Sequence, residues 1–171
     1  ATHTVVMFDG EHHNPRKDLS CDYKANRPDY SQVPDEENPF TQLDDIYKAL
    51  DYLGIKYAVT TDCETDDVIA QYAYTYGNDM KIVISSFDSD FFQLISHRVQ
   101  ILRYRGEKTV LCGREWLREK YGIEADQYAA FKSLTGDAAD NIRGIPGVGA
   151  KTAAALLRQF GSLETLLEQA Q

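Results

Sequence analysis

Carboxylates recur in this chain where apolar runs stop. Asp9 closes Val5-Val6-Met7-Phe8, Glu64, Asp66 and Asp67 follow the apolar run at residues 55–59, and Asp88 and Asp90 follow Ile82-Val83-Ile84. A further pair, Asp137 and Asp140, stands three residues apart just ahead of Gly144-Ile145-Pro146-Gly147-Val148-Gly149. Taken singly, an acid in the first turn of a helix is explained by capping and by the helix dipole. Gathered on one edge, such acids repel one another and need a counter-charge. Ligands that offer only oxygen suit Mg²⁺ or Mn²⁺ rather than zinc. The glycine stretch carries a different chemistry. Its turns expose successive N–H groups, the following helix adds a partial positive charge, and the two together can seat a phosphate.

Elements must bring these groups together. Apolar runs at residues 5–8 and 82–84 predict buried strands, and residues 55–59 predict a further strand between them. Leu43, Ile46, Tyr47 and Leu50 recur at helical spacing up to Gly54, and residues 68–76 read as a helix ending at Gly77. Alternating strands and helices imply parallel pairing with right-handed crossovers, which places the three strand ends and their acids on one edge of a sheet. Residues 99–102 and 109–112 flank Tyr104-Arg105-Gly106-Glu107 as a β-hairpin. A helix is expected from Arg114, near the one tryptophan, Trp116. After a break at Gly122-Ile123, helical patterning resumes at residues 125–134 and again at 150–160. Residues 11–40 hold four of the five prolines and little periodicity, and read as a long irregular segment. The fold class is α/β, with a core over residues 1–119 and a helical appendage over 120–171.

Composition sets a puzzle. The 171 residues carry a formal charge of −9, whereas a polyanion binder is expected to be basic. Cys21, Cys63 and Cys112 are far apart, with neither zinc nor disulfide spacing, and fit a reducing cytoplasm. No apolar run approaches the length of a membrane span and no signal peptide opens the chain, so a soluble, cytoplasmic protein is expected. His12 and His13 read as surface histidines, because the surrounding acids favour a hard cation.

The stretch GDAADNIRGIPGVGAKTAAALL, residues 136–157, closely resembles the helix-hairpin-helix element of the 5'-nuclease family. That family includes phage flap endonucleases and the 5'-exonuclease domain of bacterial DNA polymerase I. VVMFDG, DYKANRP, CETDDVIA and SSFDSDFFQLI occur in the family's order and at about its spacing, so the resemblance covers nearly the whole chain. It implies a parallel-sheet, PIN-like nuclease core with a C-terminal helix-hairpin-helix subdomain. The implied activity is that of a structure-specific 5'-3' exonuclease or flap endonuclease, active in DNA replication and repair.

The resemblance also assigns residues. Two Mg²⁺ (or Mn²⁺) ions about 3.5–4 Å apart would be held by Asp9, Glu64, Asp66 and Asp67, with Asp88 and Asp90 near the centre and Asp137 and Asp140 at the outer site. One ion would activate the water that attacks phosphorus and the other would stabilise the leaving oxygen. Without these eight acids the formal charge shrinks from −9 to −1, so the acidity is concentrated in the catalytic site. Tyr23-Lys24-Ala25-Asn26-Arg27 resembles the motif at the base of the family's helical arch. Lys24 and Arg27 would meet the scissile phosphate, and Tyr23 would stack on a base near the cut. Arg16 and Lys17 are candidates for strand contacts. Gly144, Gly147, Val148, Gly149, Lys151 and Thr152 would bind DNA, with K⁺ at the turn. The implied partners are 5' flaps, nicked or branched duplexes and RNA primers, with the protein a monomer away from membranes.

Two departures bear on this. The family begins with another strand carrying an additional metal-binding aspartate, which nothing upstream of Val5 supplies, and its chain continues past Gln171. The sequence is therefore read as an excerpt or a degenerate member, and the 171 residues alone are expected to bind metal weakly and cleave poorly while still binding duplex. The alternative is a catalytically inactive DNA-binding module, against which all eight acids are kept. A phosphatase using Asp88-Ser89-Asp90 leaves the hairpin unexplained.

Overall fold

A computed structural model describes residues 2–10, 15–28, 30 and 33–170, and these form two compact units divided between Val68 and Ile69. In the first unit, β1 (Val5–Asp9) pairs in parallel with β2 (Lys56–Thr60), in a register that sets Asp9 opposite Thr60. Helix α2 (Leu43–Tyr52) runs between them in sequence, preceded by a 3-10 turn over Pro39–Gln42. It stops as the pattern requires. Gly54 adopts φ +66°, and the Ile55 N–H reaches back to the Leu50 carbonyl at 2.9 Å. Tyr47 of α2 stacks on Tyr57 with centroids 4.9 Å apart, and Phe8 meets Tyr47 edge-on at 5.0 Å.

Two expectations for this unit are corrected. Residues 5–8 do not form a buried strand: Val5 is 58% exposed and the next three positions are half-buried, since among the described residues this sheet has two strands. The segment at 11–40 is not uniformly irregular. It contains helix α1 (Pro15–Leu19), which has proline at its first position, followed by hydrogen-bonded turns at residues 20–27. His12 and His13 lie outside the described residues.

Helix α3 (Thr65–Tyr76) follows β2, and the division between units falls inside it. In the second unit β3 (Ile82–Ser85), β4 (Val99–Arg103) and β5 (Val110–Cys112) form a sheet in that order, β3 parallel to β4 and β4 antiparallel to β5. The hairpin is as expected, but β4 is also the parallel partner of β3. The three predicted parallel strands therefore do not share one sheet among the described residues; they fall in two. Alternation alone missed this pairing because residues 86–98, which carry β3 to β4, hold only a 3-10 turn over Asp90–Leu94 instead of a crossover α-helix.

Four helices complete the second unit: α4 (Arg114–Tyr121), α5 (Tyr128–Thr135), α6 (Ala150–Phe160) and α7 (Leu163–Gln169). Between α5 and α6 lies a minimal hairpin, β6 (Gly136–Asp137) against β7 (Ile142–Arg143). One core joins sheet and helices. Phe92, 0% exposed, packs edge-on against Trp116 and Tyr128, and the same cluster includes Ile101, Leu117, Phe131, Leu134 and Leu157. Phe91 and Phe92 thereby pin the loop bearing Asp88 and Asp90 to α5. No helix among the described residues is long and apolar enough to cross a membrane.

Candidate metal and nucleic-acid site

The acids of the first unit cluster at the start of α3. Asp9, at the end of β1, accepts the Thr65 N–H at 2.8 Å and so caps the helix. Glu64, only 7% exposed, is met by three donors from residues 16–24. Lys24 Nζ lies 2.7 Å from its Oε1, Arg16 donates to Oε2 at 3.2 Å, and the Tyr23 hydroxyl stands 3.3 Å from Oε2. Arg16 also forks onto Asp67, at 2.7 and 2.9 Å. The loop and the acids, 40 or more residues apart in sequence, meet through charge.

Protonation follows from these contacts. Burial works against the Lys24 ammonium, but the hydrogen bonds with Glu64 and Tyr23 override it, and its pKa stands above that of a free lysine. The paired hydrogen bond with Asp67 raises Arg16 further. Both stay charged. Lys24 holds φ at 55°, in the left-handed region that a non-glycine residue seldom adopts, so its backbone is fixed at a local cost. Asp66 is half-buried in the first turn of α3, while Lys17 in α1 and Arg27 after it are exposed.

In the second unit, carboxylate oxygens of Asp90, Asp137 and Asp140 lie within 4.8 Å of one another. Asp88 stands beside them in sequence, exposed, with its Oδ1 accepting the Asp90 N–H at 2.9 Å. Asp137 Oδ1 accepts the Ala139 N–H at 3.0 Å. Lys132, which sequence reasoning missed, reaches in from α5. It pairs with Asp137 and lies 3.2 Å from Asp90 Oδ1. The buried Asp90 Oδ1 therefore has the Lys132 ammonium as its charged neighbour. Three carboxylates close together, held about a single ammonium, are what a cation site offers, and the all-oxygen donor set fits a hard divalent ion. Burial pushes the Asp90 carboxyl up against the pull of Lys132. Burial acts the same way on Asp137, but Lys132 and the Ala139 N–H prevail and its pKa is lowered. Lys132 resists its own burial through the same acids and is raised.

The glycine stretch follows β7. The Val148 N–H bonds the Ile145 carbonyl at 3.0 Å across Pro146 and Gly147, with Gly147 at φ +82°, as a type II turn demands. Gly144 is required for a different reason: a Cβ there would stand 2.3 Å from the Thr135 carbonyl carbon, so two backbones meet. Val148 packs against the core while Lys151 and Thr152 are exposed in the first turn of α6. Gly149, at the helix N-cap, supplies no side-chain acceptor, and the first intrahelical bond runs from the Ala153 N–H to its carbonyl at 2.9 Å. The N–H groups of Ala150, Lys151 and Thr152 therefore have no partner within the helix.

An α/β chain with acids at its strand ends and a glycine turn before a helix defines a recognisable class. Residues 1–122 match the family described as 5'-3' exonuclease, N-terminal resolvase-like domain, and residues 123–171 match 5'-3' exonuclease, C-terminal SAM fold. The chain belongs to the 5'-3' exonuclease family. It is 37% identical to the thermostable DNA polymerase I of Thermus aquaticus over 96% of its own length and 19% of that protein. It is 33% identical to the 5'-3' exonuclease of Buchnera aphidicola subsp. Acyrthosiphon pisum over 95% of its own length and 54% of that protein. The chain thus spans about a fifth of the first of these relatives and about half of the second. Among solved structures, a bacteriophage T5 flap endonuclease complexed with DNA and metal ions superposes with a TM-score of 0.83 at 24% identity, over 99% of this chain and 64% of that one. The T5 5'-exonuclease with zinc bound gives 0.82 at 25% identity, over 99% and 64%. The catalytic core of Rad2 with a DNA substrate gives 0.64 at 19% identity, over 96% and 51%. The fold is that of a resolvase-like, PIN-type core with a SAM-like helical region.

Proposed function

We propose that this chain is the catalytic part of a structure-specific 5'-3' exonuclease and flap endonuclease that hydrolyses DNA phosphodiesters with divalent metal. The observation that carries this reading is the cluster of Asp90, Asp137 and Asp140 carboxylates, in a chain of this family. Residues 1–119 are read as the nuclease core and residues 120–171 as the hairpin subdomain. Asp9, Glu64, Asp66 and Asp67 in one unit and Asp88, Asp90, Asp137 and Asp140 in the other would supply ligands for two Mg²⁺ or Mn²⁺ ions. Such ions, when bound, lower the pKa of a bound water and stabilise charge on the leaving oxygen.

The protein's own groups do the rest. Lys24 and Arg27 would meet the phosphate as charge develops on it, with Lys24 kept charged by Glu64. Tyr23 would stack on a neighbouring base. Gly144, Gly147, Val148, Gly149, Lys151 and Thr152 would grip the duplex through backbone N–H groups, with K⁺ able to seat at the carbonyls of the turn. Contacts of this kind orient a duplex with little regard to sequence. The substrates would be 5' flaps and nicked or branched duplexes, RNA primers among them, and the protein would act as a monomer.

The test is a 5'-flap duplex offered with Mg²⁺, with Ca²⁺ and with EDTA. Binding in Ca²⁺ and cutting in Mg²⁺ alone are expected, the cutting slow for these 171 residues by themselves. Binding without cutting in Mg²⁺ or Mn²⁺ would make the chain a DNA-binding module, and absence of both would overturn the reading.

A further inference from the structure

Phe87 sits directly before Asp88, yet it is 52% exposed. Its backbone is tied down. Arg103 donates from Nη2 to the Phe87 carbonyl at 3.1 Å, and its guanidinium lies 5.7 Å from the centroid of the fully buried Phe92 and 5.9 Å from that of Phe87. Arg103 Nε is buried and has no hydrogen-bond partner. Arg105, in the turn that follows β4, sets its guanidinium 5.1 Å from the Phe87 centroid. No carboxylate among the described residues pairs with it.

The turn that carries Arg105 is ordered. Thr109 Oγ1 accepts the Arg105 N–H at 3.1 Å, the Lys108 N–H bonds the Arg105 carbonyl at 3.1 Å, and Gly106 takes φ +58°. Over residues 103–108 the cations Arg103, Arg105 and Lys108 face a single acid, Glu107, and Tyr104 is 65% exposed. This is a basic, aromatic patch on a chain of net charge −9. An exposed ring flanked by guanidinium planes binds flat π-systems and anions together, which is the chemistry of a nucleotide.

We propose that Phe87 and Arg105 form a stacking platform for a base of a single nucleic-acid strand, with Arg105 and Lys108 taking its phosphates. The proposal rests on the nuclease reading and adds a site to it. Single-stranded substrate is favoured because a base must leave its duplex stack before its face can meet a protein ring. The platform abuts Asp88, so a strand with a phosphate at that acid would have a neighbouring nucleotide within reach of Phe87. This would let the protein sense an unpaired end beside the cut.

The test measures affinity in Ca²⁺ for a duplex with a single-stranded 5' overhang, for the blunt duplex and for the single strand alone. Phe87→Ala and Arg105→Ala should each weaken overhang and single-strand binding about 5- to 30-fold, the loss of one base stack or its cation, and leave blunt-duplex binding unchanged. Phe87→Trp should restore affinity, and thermal melts check that each variant folds. If the unaltered chain binds the overhang and both alanine variants bind it equally well, the platform is overturned and the nuclease reading stands. If the unaltered chain binds none of the three, both fall.

Discussion

Lys132 balances the charge of Asp90 and Asp137 when no metal does, so its removal should show most in the metal-free protein. Lys132→Met keeps length and removes the ammonium. The metal-free form should lose roughly 2 kcal/mol, less than for a fully buried pair because Lys132 keeps some contact with water. Ca²⁺ should then raise the melting temperature by more than it does in the unaltered chain, and equal increments would show that Lys132 is not the counter-charge. Lys24→Ala should slow cleavage far more than it weakens duplex binding, since a cation at the developing charge acts mainly in the transition state. Single-turnover rates beside binding titrations separate the two. Asp9, Glu64, Asp66, Asp67, Asp88 and Asp90 were legible because they follow apolar runs, Asp137 and Asp140 because they precede the glycine stretch, and Lys24 because its neighbours match a motif. Lys132 was not: its position depends on how α5 packs against Phe91 and Phe92, which no spacing in the sequence records.

Secondary structure fixes where these side chains can go. The 3-10 turn over Asp90–Leu94 is held by Phe92, and Phe92→Ala should cost about 3–5 kcal/mol and loosen Asp90 from Asp137. Denaturant melts and Ca²⁺-induced thermal shifts read the two effects separately. In the glycine turn, Gly147→Val forces a β-branched residue to φ +82°, at a cost of about 1–2 kcal/mol. Duplex affinity should fall while the single-turnover rate on saturating flap substrate holds, the reverse of Lys24→Ala. Helix α6 was legible to its ends, because alanines and leucines at helical spacing run between Gly149 and Gly161. The pairing of β3 with β4 was not, since their link contains no α-helix to announce a parallel crossover. The loop helix α1 was hidden as well. Five residues give too short a window for periodicity to speak.

Over the whole molecule, net acidity and nucleic-acid chemistry cease to conflict once charge is placed. The carboxylates gather near Glu64 and near Asp90, each group with its own lysine or arginine partner, while three cations and the Tyr104 ring stand at residues 103–108. An electrostatic search by such a surface depends on local patches rather than on net charge. The most direct measurement uses a 5'-flap strand carrying one fluorophore at each end, annealed in a nicked duplex and incubated with the unaltered chain and with Asp90→Asn. The account predicts a short product bearing the 5' label, formed in Mg²⁺, absent in EDTA and reduced by orders of magnitude in Asp90→Asn. A short product bearing the 3' label, or equal cleavage in EDTA or by Asp90→Asn, would contradict it.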